Sequence, residues 1–266
     1  MPRKAGLWTL QGWAGRGGAI CERQRQRHLD GRAFHGFRSG NPVNRTMLFR
    51  REQANIKDTW HVIGLRGTAS NDYEVVDLFV REEYTTWRDS VPDRRESGPL
   101  YNIPLLTLYG VGFSGVALGI ADSCLAAFMQ LAQTKTSGGG VGSKAVLRDN
   151  AVIQSRVARA CGRLESARAF LLQMLRESWT ASAGSGALSL EQRARLRIAI
   201  TGAMEAARKV VDFTYRAAGT TAIFEGSPFE RRFRDLHTLL AQGQAHLSNF
   251  ESAGQALFGI ELAQRL

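Results

Sequence analysis

Apolar and polar residues along the chain follow two rhythms that meet near residue 99. Over residues 60–80, WHVIGLRGTASNDYEVVDLFV places apolar Trp60, Val62 and Leu65 before a Gly/Thr/Ser/Asn/Asp cluster. A second strand-like run follows at 73–80. That pattern predicts two short strands joined by a turn. Two strands alone are not stable in water, so they must belong to a larger sheet or lean on a helical partner.

Beyond Pro99 and Pro104 the apolar spacing changes to threes and fours. A first predicted helix covers 105–133 and is rich in Gly and Ala, as suits a helix buried on several sides. A second covers 145–180, with Ile153, Val157, Ala160, Leu164, Leu171 and Met174 on one face. In LSLEQ, Ser189 can cap a third helix and Gln192 stands three residues on, the capping-box spacing; this helix continues to about 218. A fourth opens at Ser227, with Pro228 in first position and Glu230 three after the cap. FEGS, residues 224–227, is therefore the loop into that helix, and Glu225 is read as exposed rather than catalytic. The expected fold is mainly α: a four-helix up-down bundle over 99–266, preceded by a small β remnant over 47–98.

Charge alters the picture only at the start of the chain. Of the net +11, eight charges come from residues 1–50, where ten Lys and Arg face only Glu22 and Asp30. A basic arm for nucleic acid would look like this, yet residues 1–46 show no helical or strand periodicity. They read as an atypical basic leader, disordered or non-native, and nucleic acid is not an expected partner. The leader lacks the apolar run of a signal peptide. Cys21, Cys124 and Cys161 are too few and too scattered for a disulfide framework or a Cys-x-x-Cys metal site, so a reducing, cytoplasmic setting is expected. The apolar stretch 105–131 is broken by Tyr, Ser, Asp and small residues, which suits a core helix better than a membrane span. GGGVGSK, residues 138–144, departs from the phosphate-loop order and reads as an interhelix loop.

Two motifs carry a resemblance. GLRGTAS places Gly64, Leu65, Arg66, Gly67, Thr68 and Ser70 in one pattern; AAGTTAIFEGSPFERRFRDLH places Gly219, Thr220, Pro228, Arg234 and Asp235 in another. Together they resemble the acyl-CoA dehydrogenase superfamily over 60–259, close to its branch of two-component flavin monooxygenases. Two departures stand out: Thr220 replaces the second of a glycine pair, and Arg81 stands where the family has proline. The resemblance makes the β segment the end of a flavoprotein middle domain and implies FAD or FMN as cofactor. It further implies a homo-oligomer, a tetramer, in which Gly219 meets a neighbouring subunit's flavin with Arg216, Thr220 and Thr221 beside it. A plain C-cap glycine is the competing reading of Gly219.

A dehydrogenase of this type needs a carboxylate base. Counting from Arg234-Asp235 to its expected place reaches Gln242 and Gly243, neither of which can take a proton. The monooxygenase branch has a histidine in that neighbourhood. Here Gln242 occupies it, and His246 follows one helical turn later on the same predicted face. His246 and Gln242 are thus the candidate catalytic residues, while a merely packed or solvent-facing histidine is the plainer reading. The leading expectation is an acyl-CoA dehydrogenase-like oxidoreductase acting on CH–CH groups of an acyl thioester, shortened at its N-terminus. A flavin-dependent monooxygenase of an aromatic substrate and a catalytically silent oligomerisation module are the alternatives.

Overall fold

A computed structural model of the chain describes residues 7–10, 13–16, 28–38, 41–86, 94–136, 145–184 and 186–260, with strand placement alone up to residue 45. Two compact units result, Met1–Arg95 and Glu96–Leu266. The expected loop at 138–144 lies outside the described residues.

In the first unit, strands β1 (Leu7–Leu10), β2 (Trp13–Arg16), β3 (His28–Arg38), β4 (Asn41–Arg50), β5 (Asn55–Lys57), β6 (Asp72–Val75), β7 (Leu78–Arg81) and β8 (Thr85–Thr86) pair antiparallel in three small sheets. Met47, Phe49, Tyr73, Val75 and Val80 form its core. Alternation puts Met47 and Phe49 inside and Leu48 outside.

Neither predicted strand survives as drawn. Residues 58–65 are irregular, because Asn71 Oδ1 accepts the backbone N–H groups of Thr59 and Trp60, and the Trp60 indole donates to Leu65 O at 3.1 Å. The 73–80 run breaks at Asp77, whose φ of 47° no strand accommodates. Its halves become β6 and β7.

The second unit holds helices α1 (Leu105–Ala132), α2 (Ala151–Gly184), α3 (Leu190–Ala218), α4 (Pro228–Leu240) and α5 (Ser248–Leu257). Five helices, not the expected four, lie among the described residues. The difference arises at Gln242, whose extended backbone (φ −90°, ψ 159°) ends α4 and opens a short 3-10 turn, Gly243–Ala245, before the chain resumes as α5. The capping box of α3 forms as its spacing predicts: Gln192 N donates to Ser189 Oγ at 3.1 Å and Ser189 N donates to Gln192 Oε1 at 2.8 Å. At α4, Ser227 caps Phe229 N, but the Glu230 carboxylate turns away to Arg234 at 2.8 Å.

Helix α3 packs against α1, α2, α4 and α5 and is buried around much of its circumference, at Ala194, Leu196, Ala199, Ile200, Ala203, Met204, Ala207, Val210 and Val211. Its approach to α1 is close. Ser114 Oγ bonds the carbonyls of Gly110 (2.7 Å) and Ile200 (3.1 Å), and a Cβ on Gly110 would lie 2.9 Å from Ile200 Cγ2. By length and composition α1 could cross a membrane, the one such helix among the described residues; core helices pass the same test.

Two substitutions test this packing by urea unfolding. Gly110→Ala must displace the fully buried Ile200 and is expected to destabilise by about 1–3 kcal/mol. Ser189→Ala removes one side of the α3 cap and is expected to cost about 1 kcal/mol.

Candidate functional site at the two ends of helix α4

The predicted site residues fall into two groups. Gly219 terminates α3 with φ 56° and ψ −141°, a conformation that side chains resist, and its N–H returns to Arg216 O. Gly219 and Thr220 are exposed, as is Arg216. Lys135, just past α1, reaches into this turn: its ammonium donates to Ala218 O and, at 2.7 Å, to Thr221 Oγ1. It therefore serves as a cation at the negative end of α3. A Cβ on Gly219 would stand in ordinary contact, 3.6 Å from Lys135 Nζ; it is the positive φ that calls for glycine here. An ammonium has three donors, and two are used internally. Lys135 carries no signal in the sequence reading; its partner is 83 residues away.

The second group flanks the Gly243–Ala245 turn. Gln242 precedes it and folds inward, its Oε1 accepting Gln244 N at 2.7 Å and its amide nitrogen lying 3.8 Å from Met204 Sδ. His246 follows the turn and is exposed. Ser248 N donates to His246 Nδ1 at 3.2 Å, so that nitrogen is the acceptor and the neutral ring carries its proton on Nε2, pointing away from α5's first turn. The expectation that Gln242 and His246 share one helical face fails, because α4 has ended between them and Asp235 of the Arg-Asp motif. Asn249 Nδ2 donates to the carbonyls of Gly243 and Gln244, both at 3.1 Å, and Thr201 Oγ1 to Gln244 O at 3.4 Å. The turn is thus held from both α3 and α5.

Also buried in this group is Arg197, which the sequence reading did not single out. It is 6% exposed and donates to Gln244 Oε1. Burial pushes its guanidinium pKa below the ordinary value. An arginine at the i, i+3 and i+7 spacing of the apolar residues Ile200 and Met204 is the signal that could have revealed it.

The two groups lie at opposite ends of α4, whose 13 residues span about 20 Å. They do not form one site. Neither group contains a carboxylate, and among the described residues no His/Cys/Asp/Glu cluster is fit for a metal.

Comparison with known proteins follows this geometry. The profile of the family described as "Acyl-CoA dehydrogenase, C-terminal domain" matches residues 111–247, just over half of the 266-residue chain. The chain belongs to that family. An indole-3-acetate monooxygenase of Pseudomonas putida is 30% identical over 224 residues, covering 84% of this chain and 56% of the relative. A "Flavin-dependent monooxygenase, oxygenase subunit HsaA" of Mycobacterium tuberculosis is 28% identical over 231 residues, 84% of this chain and 57% of its own. The crystal structure of the HsaA monooxygenase from M. tuberculosis shares the fold, with a TM-score of 0.81 at 23% identity over 95% of this chain and 66% of that one. The chain spans just over half the length of these curated relatives. They overturn the leading expectation of a dehydrogenase acting on CH–CH groups, in keeping with Gln242 and Gly243 where its carboxylate would have to stand.

Between the two ends, Cys124 is fully buried on α1 and accepts a hydrogen bond from Thr214 Oγ1 at 3.1 Å. Burial raises its thiol pKa, partly offset by Thr214 and nearby Arg232. A raised thiol pKa means stability is whole below the unfolded value and declines as pH climbs through the folded one. Iodoacetamide at pH 8, read by peptide mass mapping, is expected to alkylate half-buried Cys161 at least about tenfold faster than Cys124.

Proposed function

We propose that the chain is part of a flavin-dependent monooxygenase that hydroxylates an aromatic substrate with reduced flavin and O₂. The observation that carries this reading is the 30% identity, across 84% of the chain, to a monooxygenase of indole-3-acetate. The Gly219 turn fits a flavin: exposed backbone in a conformation reserved for glycine, beside an ammonium with a donor to spare, suits a phosphate or the acceptor edge of a ring. Gly219, Thr220, Thr221 and Arg216 would hold that group, together with Lys135. FAD and FMN both meet this description.

Bound reduced flavin supplies the oxygen-activating chemistry. The residues of this chain supply positioning and proton management. At the far end of α4, Gln242 Oε1 is engaged by Gln244 N and its amide nitrogen lies toward Met204, whereas His246 is exposed and its Nε2–H is not occupied by Ser248. Separation of the two groups by the length of α4 supports an arrangement in which one subunit's Gly219 turn serves a neighbour's flavin and its Gln242–His246 turn serves its own. The reading takes the protein to be a cytoplasmic tetramer.

Fluorescence titration of the full chain with FAD and FMN tests the proposal and separates the two cofactors. Wild type is expected to bind one of them, and Gly219→Val to weaken that binding by about tenfold or more. Wild-type protein that binds neither flavin, oxidised or reduced, would overturn the reading.

A further inference from the structure

Arg197 is a buried cation whose partner among the described residues is neutral. Its guanidinium, 6% exposed, donates to the side-chain oxygen of Gln244. Among the described residues no carboxylate pairs with it. The other described contacts of Gln244 carry no charge either. Gly110 stands so close that a Cβ there would be 3.1 Å from Gln244 Oε1, and the Gln244 backbone carbonyl accepts from the Thr201 hydroxyl and the Asn249 amide. Through Gln244 the guanidinium sits against the Gly243–Ala245 turn, which Gln242 and His246 flank.

Buried charge in a medium of low polarisability is weakly screened, so an anion arriving at the turn feels it strongly. A neutral glutamine at position 244 fixes the turn without cancelling that field. Glutamate, the same length, would cancel it.

We propose that Arg197 is a positioning and specificity-determining residue which, acting through Gln244, makes the site at the Gln242–His246 turn select an anionic aromatic ligand, a carboxylate or phenolate, over its neutral isostere. This rests on the monooxygenase reading only for the aromatic part of the ligand; the charge preference follows from the cation.

The test is calorimetric titration of the full chain with phenylacetate and with phenylacetamide, which share shape and differ in charge. Wild type is expected to bind the carboxylate about tenfold more tightly. Arg197→Met and Gln244→Glu should each bring the ratio close to one, whereas Arg197→Lys should keep most of it. Gln244→Glu guards against a variant that fails to fold, since it retains a partner for Arg197. Hydrogen exchange over residues 242–248 should quicken in Arg197→Met and stay protected in Gln244→Glu. A purely structural Arg197 would leave the binding ratio of Gln244→Glu unchanged, and that result would overturn the proposal. Equal binding of the two probes by wild type would overturn it while leaving the monooxygenase reading intact. Failure of wild type to bind either probe, with flavin bound, would remove the proposal alone; failure to bind flavin as well would remove both.

Discussion

The close contact of α1 with α3 is the constraint on which the rest depends. Helix α3 is surrounded by α1, α2, α4 and α5, so its axis cannot shift without disturbing every neighbour. Buried alanines along α3 let its neighbours come close, Ala194 meeting Ala253 of α5; on the α1 side the bare Gly110 lies against Ile200, and Ser114 fixes the register by bonding a carbonyl of each helix. Both functional groups are attached to this post. Its C-terminus presents the Gly219 turn, and its first half supplies Arg197, Thr201 and Met204 beneath the Gly243–Ala245 turn. Since α1 and α3 run the same way, Lys135 at the end of α1 meets the end of α3, and Gly110 near the start of α1 meets the turn near the start of α3.

Features that depend on neighbouring residues were readable from the sequence. Ser189 with Gln192, Ser227 with Pro228 and the position of Gly219 after α3 each follow from local backbone needs, and the structure contains all three. Features that depend on distant partners were not. Lys135 caps α3 from 83 residues away, and Asn71 pulls 59–60 out of strand geometry from across a loop. The fifth helix was hidden for a different reason. Apolar spacing continues through Leu239 and Leu240 to Leu247, so nothing in the rhythm marks a stop; only Gln242-Gly243 does, through a side chain that replaces the helical bond by bonding Gln244 N.

The break after Leu240 also bears on which chemistry the proposed reading can use. Proton abstraction from carbon needs a base held where the break occurs, and a turn offering Gln242, Gly243 and Gln244 can hold none. Hydrogen bonding to an oxygen substituent asks less of it: an amide or an imidazole N–H suffices, and His246 presents one because Ser248 N–H occupies its other nitrogen. The same residues that disqualify the dehydrogenase chemistry are thus compatible with oxygenation of an aromatic.

Arg197 has no stability rationale of its own. Taking a guanidinium out of water costs several kcal/mol, and a single hydrogen bond to a neutral amide returns only part of that. Methionine or leucine would pack among Leu196, Ile200 and Met204 at no such cost, and replacing buried charges by apolar residues is often neutral or stabilising. On the inference drawn above, the uncompensated cation that burial penalises is the one that would stabilise an anion brought to the turn.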